Sequence, residues 1–172
     1  MAGSQGWDAP LDPQLRDEFQ KWANSIHLLA NLQIPRWWNH PDMGEIVDKQ
    51  FHCLSDASDR GFGAVVYRRI IDSSGRIHVT IICAKSHVIP LNAAKASHHN
   101  SPPRLEFAAA CKAVQLSHFV KSCIKRTSLK FFFFHDNQST IKHIYATTVA
   151  PKGYYANRLT YINAGSEKKD WR

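Results

Sequence analysis

Three acidic residues stand where this sequence could do chemistry: Asp56 in Leu54-Ser55-Asp56-Ala57-Ser58, Glu106 in Pro103-Arg104-Leu105-Glu106-Phe107, and Asp136 in Phe134-His135-Asp136-Asn137. Taken singly, each has an ordinary explanation. An acid in the first turn of a helix suits the helix dipole, and an Asp at a strand end serves as a turn or capping residue. Crowded together, three carboxylates repel one another and stay ionised only if cations sit between them. Hard oxygen donors favour Mg²⁺ or Mn²⁺, and Mg²⁺ typically joins a few carboxylates to a substrate phosphate.

Whether the three meet depends on the elements that carry them. Phe51–Asp56, Gly63–Ile70 and Arg76–Ala84 are rich in Val, Ile, Phe and Tyr and predict strands. Short turns at Ala57–Gly61 and Asp72–Gly75 separate them, so they form an antiparallel meander. Residues 85–103 are polar and irregular. A long helix is expected from about Arg104 to Arg126, with Pro103 near its first position. Leu129–His135 follows, and its run of four Phe is apolar on both faces, as in a central strand covered on both sides. Helices are expected from Asn137, a capping residue, to about Ala146, and over Tyr154–Ala164.

If the first strand runs up, the second runs down, the third up, the helix down and the Phe-rich strand up again. Pairing of the Phe-rich strand with the first brings Asp56 and Asp136 side by side at the top, where the helix carrying Glu106 begins. Open α/β sheets bind ligands at that carboxyl edge. On a helical wheel, the stripe Ala109, Ala113, Leu116, Val120 and Ile124 lies within about 80° of Glu106 and to one side of it, so Glu106 can point inward. The fold class is α/β with a mixed sheet.

Upstream, Asp12-Pro13 is a helix start, and Leu15, Phe19, Trp22, Ile26 and Leu29 make one amphipathic face before Pro35. The organisation is a connection segment over residues 1–50, with Trp37-Trp38 in an irregular tether, and a second domain over 51–172. Of the 172 residues, 44% are hydrophobic and 21% charged, which excludes a disordered or fibrous chain. No apolar run approaches the roughly 18–20 residues of a membrane helix. The first residues lack the pattern of a signal peptide. Together with four cysteines in no CxxC pairing, this indicates reduced thiols in an intracellular, cytoplasmic setting.

Twenty-two Lys and Arg against 14 Asp and Glu give a net charge of +8, which suits a polyanionic partner. The densest basic stretch is Lys121, Lys125, Arg126 and Lys130. Arg68, Arg69 and Arg76 form a second group. These are the candidates for phosphate contact, although a charge run also serves simply as a solvated face. Other signals point to packing. Gly61-Phe62-Gly63 precedes a strand and is a turn. His87 and His98-His99 are expected in an exposed loop, and His135 falls by parity on the strand face opposite Asp136. Cys53, Cys83, Cys111 and Cys123 suit the core.

The segments FHCLSDASDRGFGAVVYRR, ICAKSHVIPL, SPPRLEFAAACKAV, FFFFHDNQSTIKHI and YYANRLTYI, in that order, resemble the ribonuclease H region of BEL/Pao-type retrotransposon polyproteins. GWDAPLDPQLRDEFQKW and LQIPRWW resemble the connection after the reverse transcriptase in the same polyproteins. The resemblance implies an RNase H-like fold and an endonuclease that cuts the RNA strand of RNA·DNA hybrids. Position by position it assigns Asp56, Glu106 and Asp136 as the catalytic, metal-binding carboxylates, with Asp56 bridging two Mg²⁺ or Mn²⁺ ions roughly 4 Å apart. It also implies a reverse transcriptase domain in the same polyprotein as partner, and no membrane.

Two departures from the family pattern stand out. Asn137 occupies a position usually held by Ser. The family's fourth acid follows a Trp-containing strand, whereas Asp170 precedes Trp171 here, so the expectation is a C-terminally truncated domain lacking the last strand, the last helix and the fourth carboxylate. That leaves a catalytically inactive, nucleic-acid-positioning RNase H-like domain as the alternative. An aspartic peptidase would need two Asp-Thr/Ser-Gly loops, and Asp56-Ala57-Ser58 lacks the Gly.

Overall fold

Asp12 opens the first helix by letting its side chain accept from the Gln14 N–H at 2.9 Å, and Pro13 takes the first position, where its missing N–H is not needed. The structure, a computed structural model, describes residues 8–33, 41–89, 101–124, 129–146 and 153–172. They fall into two compact units, Met1–Trp37 and Trp38–Arg172. In the first, α1 (Pro13–Ser25) passes into a 3₁₀ turn over Ile26–Asn31, so the α-helical part is shorter than the apolar spacing predicts. Leu15, Phe19, Trp22, Ile26 and Leu29 are all exposed.

The second unit contains β1 (Ile46–Ala57), β2 (Gly61–Asp72), β3 (Ile77–Val88), α2 (Pro102–Ile124), β4 (Lys130–His135), α3 (Gln138–Tyr145) and α4 (Tyr154–Gly165). The sheet order is β3-β2-β1-β4. β1–β2 and β2–β3 are antiparallel, and β4 lies parallel to β1 with Ser55 opposite His135. The mixed sheet and the parallel neighbour follow the expected topology. The strands of the meander are longer than their composition suggests. β1 begins at Ile46 because its polar first residues still pair with Ile70–Asp72, and β3 runs to Val88, which puts His87 on a strand rather than in a loop.

α2 packs on one face of the sheet. Phe107, Ala110, Ala113 and Val114 meet Phe51, Cys53, Val66, Phe131 and Phe133 in one core. The alanines let the helix approach closely. Each buried Phe contributes about 2–3 kcal/mol by leaving water. Phe132 and Phe134, on the other face of β4, are only half-buried, so β4 is not covered on both sides by described residues as its composition suggested. Asn137 caps α3 as expected, accepting from the Thr140 N–H at 3.0 Å.

Two further features frame the sheet. At the β2–β3 turn, Asp72 is 1% exposed and accepts from Ser74 N (3.0 Å), Ser74 Oγ (2.6 Å), Arg76 N (3.0 Å) and Arg76 Nε (3.0 Å). Beyond α4, Trp171 is 1% exposed and stacks on Phe133, with ring centroids 4.8 Å apart. The N–H of Arg172 donates to Phe133 O at 2.8 Å and the N–H of His135 to Arg172 O at 3.1 Å, continuing the sheet past β4 in parallel sense. Among the described residues no helix is long and apolar enough to cross a membrane, and all four cysteines are free.

Candidate metal centre

Strand parity sets the directions of the site's side chains. Phe51, Cys53 and Ser55 face α2 and are buried, so the alternate residues Leu54 and Asp56 face away from it and are exposed. β4 repeats the pattern one strand over: Phe131, Phe133 and His135 are buried, and Asp136, the next residue, is exposed. Glu106 arrives from above on α2. The helix opens at Pro102, which puts Glu106 in the second turn rather than the first and weakens the helix-dipole explanation for it.

Among the described residues, the group whose ligand atoms lie within 4.8 Å of one another is Glu106, His135 and Asp136. Glu106 Oε2 is 3.3 Å from His135 Nε2, with the two side chains 13% and 0% exposed. Neither atom has a hydrogen-bond partner, although both are fully shielded from solvent. Burial pushes the Glu106 carboxyl above its ordinary range. His135 and the Asn137 side chain pull it back, and the charges of Asp136 and Asp56 add to the rise.

Two of the three predicted carboxylates are thus brought together, and the third stands beside them. Asp56 accepts from its own neighbour, the Ala57 N–H, at 2.7 Å and is not in the mutual group. It does share an open groove on the other sheet face with Asp136, lined also by Leu54, Phe62, His87 and Phe134. His135 is the member that sequence reasoning set aside. Its parity was right, but parity alone does not say that Glu106 is what packs over that face.

These donors, two carboxylates and an imidazole, suit a divalent cation. Glu106 Oε2 and His135 Nε2 are buried 3.3 Å apart without a hydrogen bond, and a divalent cation beside them would offset the cost of burying a carboxylate next to other acids.

The basic candidates are scattered. Lys121 is exposed at the far end of α2, with its Nζ 4.9 Å from the Phe131 ring centroid. Lys130, at the start of β4, pairs with Asp48 at 3.4 Å. Arg68 is only 8% exposed on the α2 side of β2, and Arg69 is half-buried on the opposite face beside His52. The two therefore do not form one phosphate-binding patch, because neighbours on a strand point to opposite faces. Arg76 is engaged with Asp72 at the turn. Lys125, Arg126, Trp37-Trp38 and His98-His99 lie outside the described residues.

No curated protein matches the chain. Among solved structures it is similar to a foamy viral protease-reverse transcriptase in complex with dsDNA, at 11% identity and a TM-score of 0.48 over 98% of this chain. It spans 30% of that viral chain. It is also similar to RNase H1 from the halophilic archaeon Halobacterium salinarum, at 10% identity and a TM-score of 0.34, covering 74% of this chain and 82% of that one. The model of the Pao retrotransposon-like RNaseH-like domain matches residues 1–137, which include Asp56, Glu106 and Asp136. With that match and the mixed sheet, the chain belongs to the Pao retrotransposon RNase H-like domain family.

Proposed function

We propose that this domain is a ribonuclease H-type endonuclease of a retrotransposon, cleaving the RNA strand of RNA·DNA hybrids by two-metal hydrolysis within a reverse transcriptase polyprotein. The observation that carries the reading is the convergence of Glu106 and Asp136 at the carboxyl edge of the parallel β1–β4 pair, with Asp56 on the adjacent strand end. Asp56, Glu106 and Asp136 are the residues that would hold Mg²⁺ or Mn²⁺. When bound, such ions supply an activated water and stabilise the leaving oxygen. The carboxylates set the donors at one edge, the Glu106 side chain on α2 is largely shielded from solvent, and the Asn137 cap anchors the turn that presents Asp136.

The test is cleavage of an RNA·DNA hybrid in Mg²⁺ and in Mn²⁺. Asp56→Asn is expected to abolish it, since a neutral amide is a poor substitute for a bridging carboxylate. Near-wild-type, metal-dependent cleavage by Asp56→Asn overturns the assignment. A second reading, an inactive domain that only positions nucleic acid, is favoured by one observation: Asp56 stands outside the mutual ligand group and commits an oxygen to the Ala57 N–H. Hybrid binding with no cleavage in either metal, by this chain and by one extended past Arg172, selects that reading.

A further inference from the structure

His135 is the least exposed titratable side chain at the site and has no part in the proposed reaction. Its Nδ1 lies 2.9 Å from the Ser55 carbonyl oxygen and 3.1 Å from Ser55 Oγ. A carbonyl oxygen can only accept, so Nδ1 carries the proton. That turns Nε2 toward the carboxylates as the ring's second nitrogen. Nε2 is buried, lacks a hydrogen bond, and points at Glu106 Oε2, which is likewise buried and unpartnered. Asp136 closes the group, with one ligand atom from each residue within 4.8 Å of the others. A ring nitrogen held by a backbone carbonyl while its second nitrogen faces carboxylates is the arrangement that protein metal sites use to orient a histidine ligand.

We infer that His135 Nε2 is a nitrogen ligand which, with Glu106 and Asp136, completes a site for one divalent transition cation, Zn²⁺ foremost and Mn²⁺ after it, in preference to Mg²⁺. Carboxylates alone hold Mg²⁺ as readily as such a site allows. An imidazole adds little for Mg²⁺ but favours the later transition ions in the order of their ligand affinity. The inference rests on the nuclease reading only in sharing its carboxylates, and it assigns the site a metal preference that an all-oxygen set lacks.

The test uses the whole chain with Mn²⁺ alone, read by pulsed electron paramagnetic resonance for ¹⁴N coupling to the bound ion. Coupling is expected in the wild type and absent in His135→Gln, which should also bind Mn²⁺ at least about tenfold more weakly while its Mg²⁺ affinity stays within about twofold. Since a buried substitution can unfold the chain, the wild type is also titrated with Zn²⁺ and followed by ¹⁵N resonances. Here the Nδ1-protonated ring of His135 should keep its tautomer while Nε2 shifts on binding. Bound Mn²⁺ without nitrogen coupling, coupling that survives in His135→Gln, or a His135 ring that ignores Zn²⁺ overturns the inference. Hybrid cleavage with no nitrogen coupling leaves the nuclease reading standing and removes this one. Nitrogen coupling without cleavage does the reverse.

Discussion

Two acidic positions at opposite ends of the sheet have opposite surroundings. Asp72, at the end of β2, is buried yet saturated: Ser74 and Arg76 supply four hydrogen bonds, and those to Ser74 foremost hold its carboxyl well below the usual carboxylate range. Glu106, about the length of a strand away, has one shielded oxygen without a hydrogen bond, and burial first, with Asp136 and Asp56 adding to it, pushes its carboxyl up against the pull of His135 and Asn137. Both residues are acids beside a sheet end, so residue type and position do not distinguish them. The donors do. An acid that belongs to the scaffold brings its partners in the sequence, here Ser74 and Arg76 two and four residues on, whereas Glu106 meets His135 and Asn137 from a distant strand end and keeps one buried oxygen without a hydrogen bond.

The contrast sets the order of expected effects. After the loss expected of Asp56→Asn, Asp136→Asn should come next, lowering metal-dependent hybrid cleavage by about a thousandfold while moving the Tm little, because it removes transition-state charge stabilisation and no scaffold contact. Asp72→Ala should show the converse: a Tm lowered by about 5–10 °C with cleavage intact at permissive temperature. Because the folded-state carboxyl of Asp72 is depressed, the stability it confers is present above the ordinary carboxylate pKa of about 4 and is lost as pH falls below it. Thermal unfolding of Asp72→Asn from pH 2 to 7 should therefore show a shallower acid limb. An unchanged limb would deny Asp72 its scaffold role.

Glu106→Gln should have a smaller effect and of opposite sign. The raised carboxyl means that ionisation works against folding, increasingly so as pH rises through and above its ordinary value. The metal-free variant should melt about 2–4 °C higher than the wild type at pH 7, no higher near pH 4, and without the rise that Mg²⁺ gives the wild type. A wild type indifferent to Mg²⁺ in the same melt would break the comparison. The least change is expected at Lys121 and Lys130, about 22 Å down α2 and at the far end of β4. Replacing both with Ala should flatten the salt dependence of hybrid binding by up to about two units of slope, and an unchanged slope would exclude that end of the sheet.

Much of this was legible before any coordinates. Turn residues, the switch from period two to helical period and the Phe run gave the strand order and the parallel β1–β4 pair, and so the edge that Asp136 and Glu106 share. What stayed hidden lay between elements. Strand parity was available for Asp56 and would have turned it away from α2, yet its distance from Glu106 depends on how far the helix overhangs the edge. Arg68 and Arg69 look like one patch in sequence and are divided by the pleat. His135 looked like ordinary core packing because nothing in its own strand reveals that a carboxylate descends onto it from a helix 29 residues earlier.

Ser55 and His135, opposite each other in the β1–β4 pair, are 80 residues apart in the chain. The meander β1–β2–β3 closes through short turns, but β4 reaches β1 only after the widest loop in the sheet has shut, a closure whose entropy is recovered late and slowly. The candidate site therefore depends on the long-range β1–β4 pairing: the hairpins alone bring together none of Glu106, His135 and Asp136.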